Sequence, residues 1–407
     1  MNTKTYAWAA LGLSLIVPNT LVSGEYSSGK EVYGSKEVYD SEGVTMFEET
    51  PYTIDLYGGA STVYNSNTTQ LSDGTSAWVA IFDFGFDFES ANQGGRGFDY
   101  GFGYDGAAYW WESSTAAAGR DPFEHRLDGY VQVNGGKTRF RIGSDFYRNN
   151  GNAMDFVNVN REARSAQSND WGLNASLVRD LSRGSFEANA GYNLRDFDAG
   201  TGLNDQNGYV MDLALFHRFA GAPKTSYGLG FRFGSDDSSQ NVDQDFHTTS
   251  LRWRYQASAK TTAFSTLGLE NRSTAAGDVE NFVFDAGFNW QVSSKTDLDL
   301  FISRNVRPSY SGVNSDYESL AGVAQMSHDL PGLYTLDARV GFENAEYDNG
   351  REDDFLRLGL SVSRPVSLSQ DLNGSVSVFY NYNENESSEV ISSFDQTLAG
   401  VRFGFVY

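Results

Sequence analysis

From Pro51 to the end of the chain, apolar and polar residues alternate with a period of two, in runs of roughly ten to sixteen residues. Trp78, Ala80, Phe82, Phe84 and Phe86 are interleaved with Val79, Ile81, Asp83, Gly85 and Asp87. Phe282, Phe284, Ala286, Phe288 and Trp290 alternate in the same way with Val283, Asp285, Gly287, Asn289 and Gln291. Leu356, Leu358, Leu360 and Val362 alternate with Arg357, Gly359, Ser361 and Ser363. This period puts successive side chains on opposite faces of a strand. A single run of this kind also suits a soluble sandwich. About eighteen in succession, with almost no segment of helical period, describe strands that turn an apolar face to lipid and a polar face inward.

The alternation predicts strands near 52–65, 76–90, 97–111, 122–134, 137–148, 167–180, 184–196, 208–219, 224–235, 245–257, 260–272, 279–292, 295–306, 316–328, 332–346, 352–365, 371–384 and 394–407. Every second connection is tight, as at Gly135-Gly136, 181–184, 221–224, 258–260, 293–295, 329–332 and 367–370. The others, such as 149–166, 197–207, 236–244, 307–315 and 385–393, are longer and rich in Asp, Asn, Ser and Glu. Short periplasmic turns and longer external loops belong to an all-β, antiparallel, transmembrane up-and-down β-barrel, here of about eighteen strands. An even count leaves both termini in the periplasm.

The first fifty residues read differently. Lys4 precedes an apolar run from Tyr6 to Val17, then Pro18 and the small residues of Val22-Ser23-Gly24. The run is shorter than the roughly 20 residues a spanning helix needs, so residues 1–24 are expected to be a cleaved signal peptide. No later stretch is apolar enough to span as a helix. Residues 25–50 are polar, with Lys30-Glu31-Val32-Tyr33-Gly34 nearly repeated at Lys36-Glu37-Val38-Tyr39-Asp40. They read as a flexible periplasmic tail, with a docking peptide for an envelope partner as the alternative. Residues 51–407 are the barrel.

Composition sharpens this picture. The chain has 14% aromatic residues, 43 glycines and 7 prolines, which suits antiparallel sheet with interfacial rings and excludes a disordered chain. It has no cysteine, and a barrel closed by its own hydrogen bonds needs no disulfide. The net charge of −23 argues against a nucleic-acid partner.

Charged residues on the inward phase are candidates for the lumen lining. They are Arg139, Arg141, Arg232, Arg252, Arg254, Arg339 and Arg357, opposed by Asp212, Asp285, Asp297, Asp299 and Asp337. An Arg or Lys on the lipid face costs roughly 2–4 kcal/mol at the midplane, which assigns these side chains inward. Facing rows of Arg and Asp would set up a field that selects solutes; the same residues could equally form a salt-bridge network that fills and stiffens the barrel. Tyr109, Trp110, Trp111 and Trp290 stand at strand ends and are girdle candidates, since amphipathic rings favour the headgroup level.

Catalysis and metal binding find little support. Asp245 and His247 share a face, but Ser250 falls on the other, so no Ser-His-Asp constellation forms. His125, His217 and His328 have no recognisable hydrolase motif around them. The acidic groups Asp236, Asp237, Asp243, Asp245 and Asp348, Glu352, Asp353, Asp354 match no calcium motif and read as solvated loop charge. No catalytic, cofactor or metal residue is assigned, and the protein is not expected to be an enzyme.

The last strand carries a resemblance. Val401, Phe403, Phe405 and Tyr407 lie on one face, with Arg402 and glycines on the other. A terminal strand ending on an aromatic residue resembles that of bacterial outer-membrane β-barrels, where it is the signal read by the barrel-assembly machinery. The opening Tyr57-Gly58-Gly59-Ala60-Ser61-Thr62-Val63-Tyr64-Asn65-Ser66-Asn67 and the strand from Leu372 to Asn383 resemble the porin-2 type of β-barrel, often encoded with exopolysaccharide clusters. That resemblance implies a porin-like channel for small polar or saccharide solutes in the outer membrane. Its implied partners are outer-membrane lipid, the assembly machinery and periplasmic polysaccharide-export proteins. A non-conducting accessory barrel of a secretion system is the other expectation. Inward Tyr57 and Phe301 would then line a sugar path, and external loop 149–166 could fold in to constrict it.

Overall fold

Strands that alternate in this way can satisfy their backbone groups in lipid only by pairing all the way round. In the computed structural model they do so, in chain order and antiparallel throughout. The structure describes residues 52–407, apart from 71, 73, 91–96, 114–119, 152–165, 200, 240–242, 275–276, 310–315 and 370–371. The expected signal peptide and tail, and most of loop 149–166, lie outside the described residues.

The strands are β1 Tyr52–Asn65, β2 Ala77–Ser90, β3 Gly97–Trp111, β4 Phe123–Asn134, β5 Thr138–Asn150, β6 Gln167–Leu181, β7 Gly184–Phe197, β8 Gln206–Arg218 and β9 Thr225–Ser238. They continue as β10 Gln244–Ser258, β11 Thr261–Thr274, β12 Gly277–Ser293, β13 Thr296–Pro308, β14 Asp316–Leu330, β15 Tyr334–Tyr347, β16 Glu352–Ser367, β17 Asn373–Ser387 and β18 Phe394–Val406. β1 pairs with both β2 and β18, with Tyr57 opposite Val406, so the sheet has no edge.

The expected all-β antiparallel barrel is therefore present, with eighteen strands. The largest departures from the predicted segments lengthen strands. β9 runs to Ser238 and β17 to Ser387, through acidic residues read from sequence as loop. Polar residues on both faces are tolerated there because the strands continue past the apolar band.

Register fixes the faces, since cross-strand partners point the same way. One face carries large exposed apolar side chains, including Trp78, Phe82, Leu229, Leu251, Leu360 and Val378. The other is the inner face. Toward the long-loop end it is closely filled: Val63, Val79, Ile81, Tyr109, Trp111 and Leu398 form an apolar cluster. This burial corrects two girdle assignments. Three consecutive residues of a strand cannot share one face, so Trp110 is 75% exposed on the outside, whereas Tyr109 and Trp111 point inward and are buried. Trp290 is on the outer face and exposed.

Candidate functional site in the barrel lumen

All twelve charged residues picked out above fall on the inner face by register. Arg139 and Arg141 pair with Asn134 and Gln132 across β4–β5, and Asp212 pairs with Arg232 across β8–β9. Arg252 and Arg254 lie on β10, and Asp285 on β12 is opposite Thr266 and Ser303. Asp297 and Asp299 lie on β13 opposite Gln291 and Asn289, Asp337 and Arg339 on β15 opposite Ser327 and Gln325, and Arg357 on β16 opposite Gly341.

These residues divide into two environments. Around β7–β11 the charges are tied together. Arg252 grips Asp212 with both terminal nitrogens, at 2.9 and 2.5 Å, reaching across β9. A side chain at Gly230 would collide with that guanidinium, so the glycine provides its path. Arg254 makes a second two-point pair with Glu187 at 2.6 and 2.9 Å and lies 3.9 Å above the Phe216 ring. Bidentate Arg–carboxylate pairs add geometric definition as well as energy.

Nearer the long loops, Arg272 bonds Asp236 at 2.9 Å, Glu270 at 3.0 Å and Gln244 at 3.2 Å, and all four side chains are buried. The Gln244 amide also donates to Asp316 at 2.6 Å, four strands further round, so this network spans part of the lumen. Arg195 and Asp170 form another buried pair at 2.6 Å. Asp236 therefore serves as a network residue, not as solvated loop charge.

On the other side of the long-loop end, amides do similar work. Gln70, in the connection after β1, donates to Gln396 at 3.0 Å, and Asn383 donates to the same oxygen at 3.1 Å. Gln396 in turn donates to Asn65 at 3.1 Å and is fully buried. The connection from β1 to β2 is thus held into the mouth. Arg120 closes this side, donating to the Thr68 carbonyl and stacking 4.9 Å above Trp111. Burial lowers its guanidinium from the ordinary value.

The short-turn end is different. Asn289, Gln291, Asp297, Asp299 and Asp329 are exposed on the inner face. Asp299 accepts a bond from Asn289 at 2.6 Å, and Asp337 accepts one from Ser361 at 3.2 Å. Across the ring, Arg141 lies 4.1 Å over Tyr130, and neither Arg139 nor Arg141 pairs with a carboxylate among the described residues. In an eighteen-strand ring, β5 and β14 are half-way round from one another. Arg139 and Arg141 on β5 therefore lie on the opposite wall from the Asp297, Asp299, Asp329 and Asp337 group of β13–β15.

His247 points outward and Ser250 inward on β10, so the structure keeps them apart. No group of three or more His, Cys, Asp or Glu side chains among the described residues is placed to hold a metal. Sequence reasoning missed Arg272, Glu270, Arg195, Asp170 and Glu187. Each lies on the inward phase of its strand, which was the available signal. Tyr57 and Phe301 do lie on the inner face.

Residues 268–405 match the family model described as Putative beta-barrel porin 2. The match covers the stretch from β11 to the terminal strand, including the closing strands whose pattern carried the resemblance. No curated protein matches the chain. Similar solved structures include OccAB2 of Acinetobacter baumannii, 12% identical with a TM-score of 0.49, covering 88% of this chain and 98% of that one. A BenF-like porin from Pseudomonas fluorescens Pf-5 is 10% identical with a TM-score of 0.48, covering 89% and 100%. OpdK of Pseudomonas aeruginosa, solved with vanillate, is 13% identical with a TM-score of 0.46, covering 87% and 99%. These are likenesses of fold and extend no further.

Proposed function

We propose that the protein is a porin-like channel of the bacterial outer membrane for small polar or saccharide solutes. Its selectivity is set at the short-turn mouth. The observation that carries this reading is the opposition of Arg139 and Arg141 to Asp297, Asp299, Asp329 and Asp337 across an inner face open to water. Unpaired charges of opposite sign on facing walls produce a transverse field, and low-dielectric walls focus it on whatever passes. A barrel of this strand number has room for an aqueous path. The porin-2 match over residues 268–405 agrees with the reading.

In this account the outward face of Val401, Phe403, Phe405 and Tyr407 is the signal for the assembly machinery, and the exposed apolar band contacts lipid. A second reading, a non-conducting accessory barrel of polysaccharide secretion, draws on one observation: the long-loop half of the inner face is buried and held by the Arg272 and Gln396 networks.

Single-channel recording of the purified protein in a planar bilayer separates the two. The channel reading expects stable conductance steps with an ion selectivity measurable under a salt gradient. A folded barrel that gives no steps would overturn it and leave the accessory role.

A further inference from the structure

The short turns repeat one piece of chemistry. In the hairpins β4–β5, β6–β7, β8–β9, β10–β11 and β12–β13, the residue just before the return strand is Lys137, Arg183, Lys224, Lys260 and Lys295 respectively. The carbonyl of each accepts a bond from the neighbouring strand, from the N–H of Asp180, Arg218, Gln256, Gln291 and Asp329 in turn. Five different turns thus place a base at one structural position, and all five side chains are exposed. None is in an ion pair among the described residues; Lys224 donates to the Ala257 carbonyl. In a chain of net charge −23, an unpaired basic rim is a departure that solubility does not explain.

The rim is not uniform. Asp297, Asp299 and Asp329 make the sector around Lys295 acidic. From β5 to β11 the bases Lys137, Arg183, Lys224 and Lys260, extended inward by Arg139 and Arg141, have Asp180 as an acidic rim neighbour, and Lys260 at the end of the arc also lies near Asp297. Register carries these positions onto the inner face, which turns the basic arc toward the mouth and away from lipid headgroups.

One segment of this chain has the complementary charge and the right attachment. Residues 25–50 contain Glu25, Glu31, Glu37, Asp40, Glu42, Glu48 and Glu49 against Lys30 and Lys36. They join the barrel at Tyr52, the short-turn end of β1. From there the β4–β5 turn is four strand spacings away, about 19 Å at ~4.8 Å each. Twenty-six residues can extend several times that far, at up to ~3.5 Å per residue. Tethering makes the encounter intramolecular, so weak charge pairing suffices.

We propose that the acidic N-terminal segment, residues 25–50, docks across the basic arc formed by Lys137, Arg183, Lys224 and Lys260 at the short-turn mouth. Docking places carboxylates beside Arg139 and Arg141 and lowers the positive side of the mouth's field.

The absence of cysteine makes this directly measurable. Spin labels are attached to Tyr39→Cys and Ala259→Cys in the full protein extracted from membranes, and their separation is read in low and in 1 M salt. The expected result is a short-distance population that falls at least threefold in 1 M salt, where the screening length is only about 3 Å. It falls similarly in K137E/R183E/K224E/K260E. A tail variant, E31Q/E37Q/D40N/E42Q, leaves the barrel untouched and gives the same loss. A distribution that salt and both variants leave unchanged would overturn the proposal, as would a short-distance population that survives in the rim variant. Neither reading depends on whether the barrel conducts.

Discussion

The wall of β7–β11 and the short-turn mouth contain the same residue types and use them in opposite ways. In the wall, Arg272 is 3% exposed and its carboxylates Asp236 and Glu270 are 4% exposed. In the mouth, Arg139 and Arg141 have no carboxylate partner among the described residues and face an acidic group on the far side of the lumen. Water accounts for the difference. A buried charge left unpaired is very costly, so the buried guanidinium of Arg272 is matched by carboxylates. A solvated charge can stand alone, and only a charge standing alone projects a field into the pore. Inward Arg and Asp thus form a buried salt-bridge network in one region and stay solvent-accessible in the other; under the proposed channel function only the second set is available to a solute.

Breaking the wall should have the largest effect. Arg272→Ala strands Asp236 and Glu270 in a buried site and is expected to cost about 3–5 kcal/mol of stability, read as a lowered unfolding midpoint in denaturant. Arg272→Met with Asp236→Asn and Glu270→Gln should recover only part of that loss, because buried Arg232 faces the same two carboxylates and loses both as charged neighbours. Arg254→Ala should cost somewhat less than Arg272→Ala, since its side chain is 24% exposed, and should leave ion selectivity close to wild type.

Changes at the mouth should do the reverse. Asp297→Asn with Asp299→Asn is expected to move the reversal potential toward anions while altering stability by no more than about 0.5 kcal/mol. A large loss of stability here would show that the mouth charges are structural after all.

The smallest expected effect lies outside the strands. Asp198 receives two hydrogen bonds from Arg148, both at 2.7 Å, and these hold its carboxyl below the ordinary carboxylate value. With the folded value below the unfolded value of about 4, the pair stabilises the folded state above that pH. The contribution is lost as pH falls through the lowered folded value. The Asp198 side chain is 34% exposed and solvent screens the pair, so Asp198→Asn should flatten the acid limb of the stability profile only slightly.

The alternation of Phe282 through Gln291 made the strands and their faces legible, because a period of two survives whatever pairs with it. It also carried all twelve charged residues to the inner face. Pairings were not legible. Arg252 reaches Asp212 across an intervening strand at Gly230, and Gln70 meets Gln396 from the opposite end of the chain; both depend on register and barrel closure. The run Tyr109-Trp110-Trp111 shows where local reading misled. Clustering suggested three girdle residues, whereas alternation, applied strictly, allows only Trp110 to face lipid. The acidic ends of β9 and β17 read as loop because composition hides a strand once it leaves the apolar band.

The most direct test of the mouth as the filter is the reversal potential of Arg139→Glu/Arg141→Glu in a planar bilayer under a salt gradient, beside wild type. The account predicts unchanged folding, conductance steps in both proteins, and a clear displacement of the variant toward cations. An unchanged reversal potential in a conducting variant would contradict it.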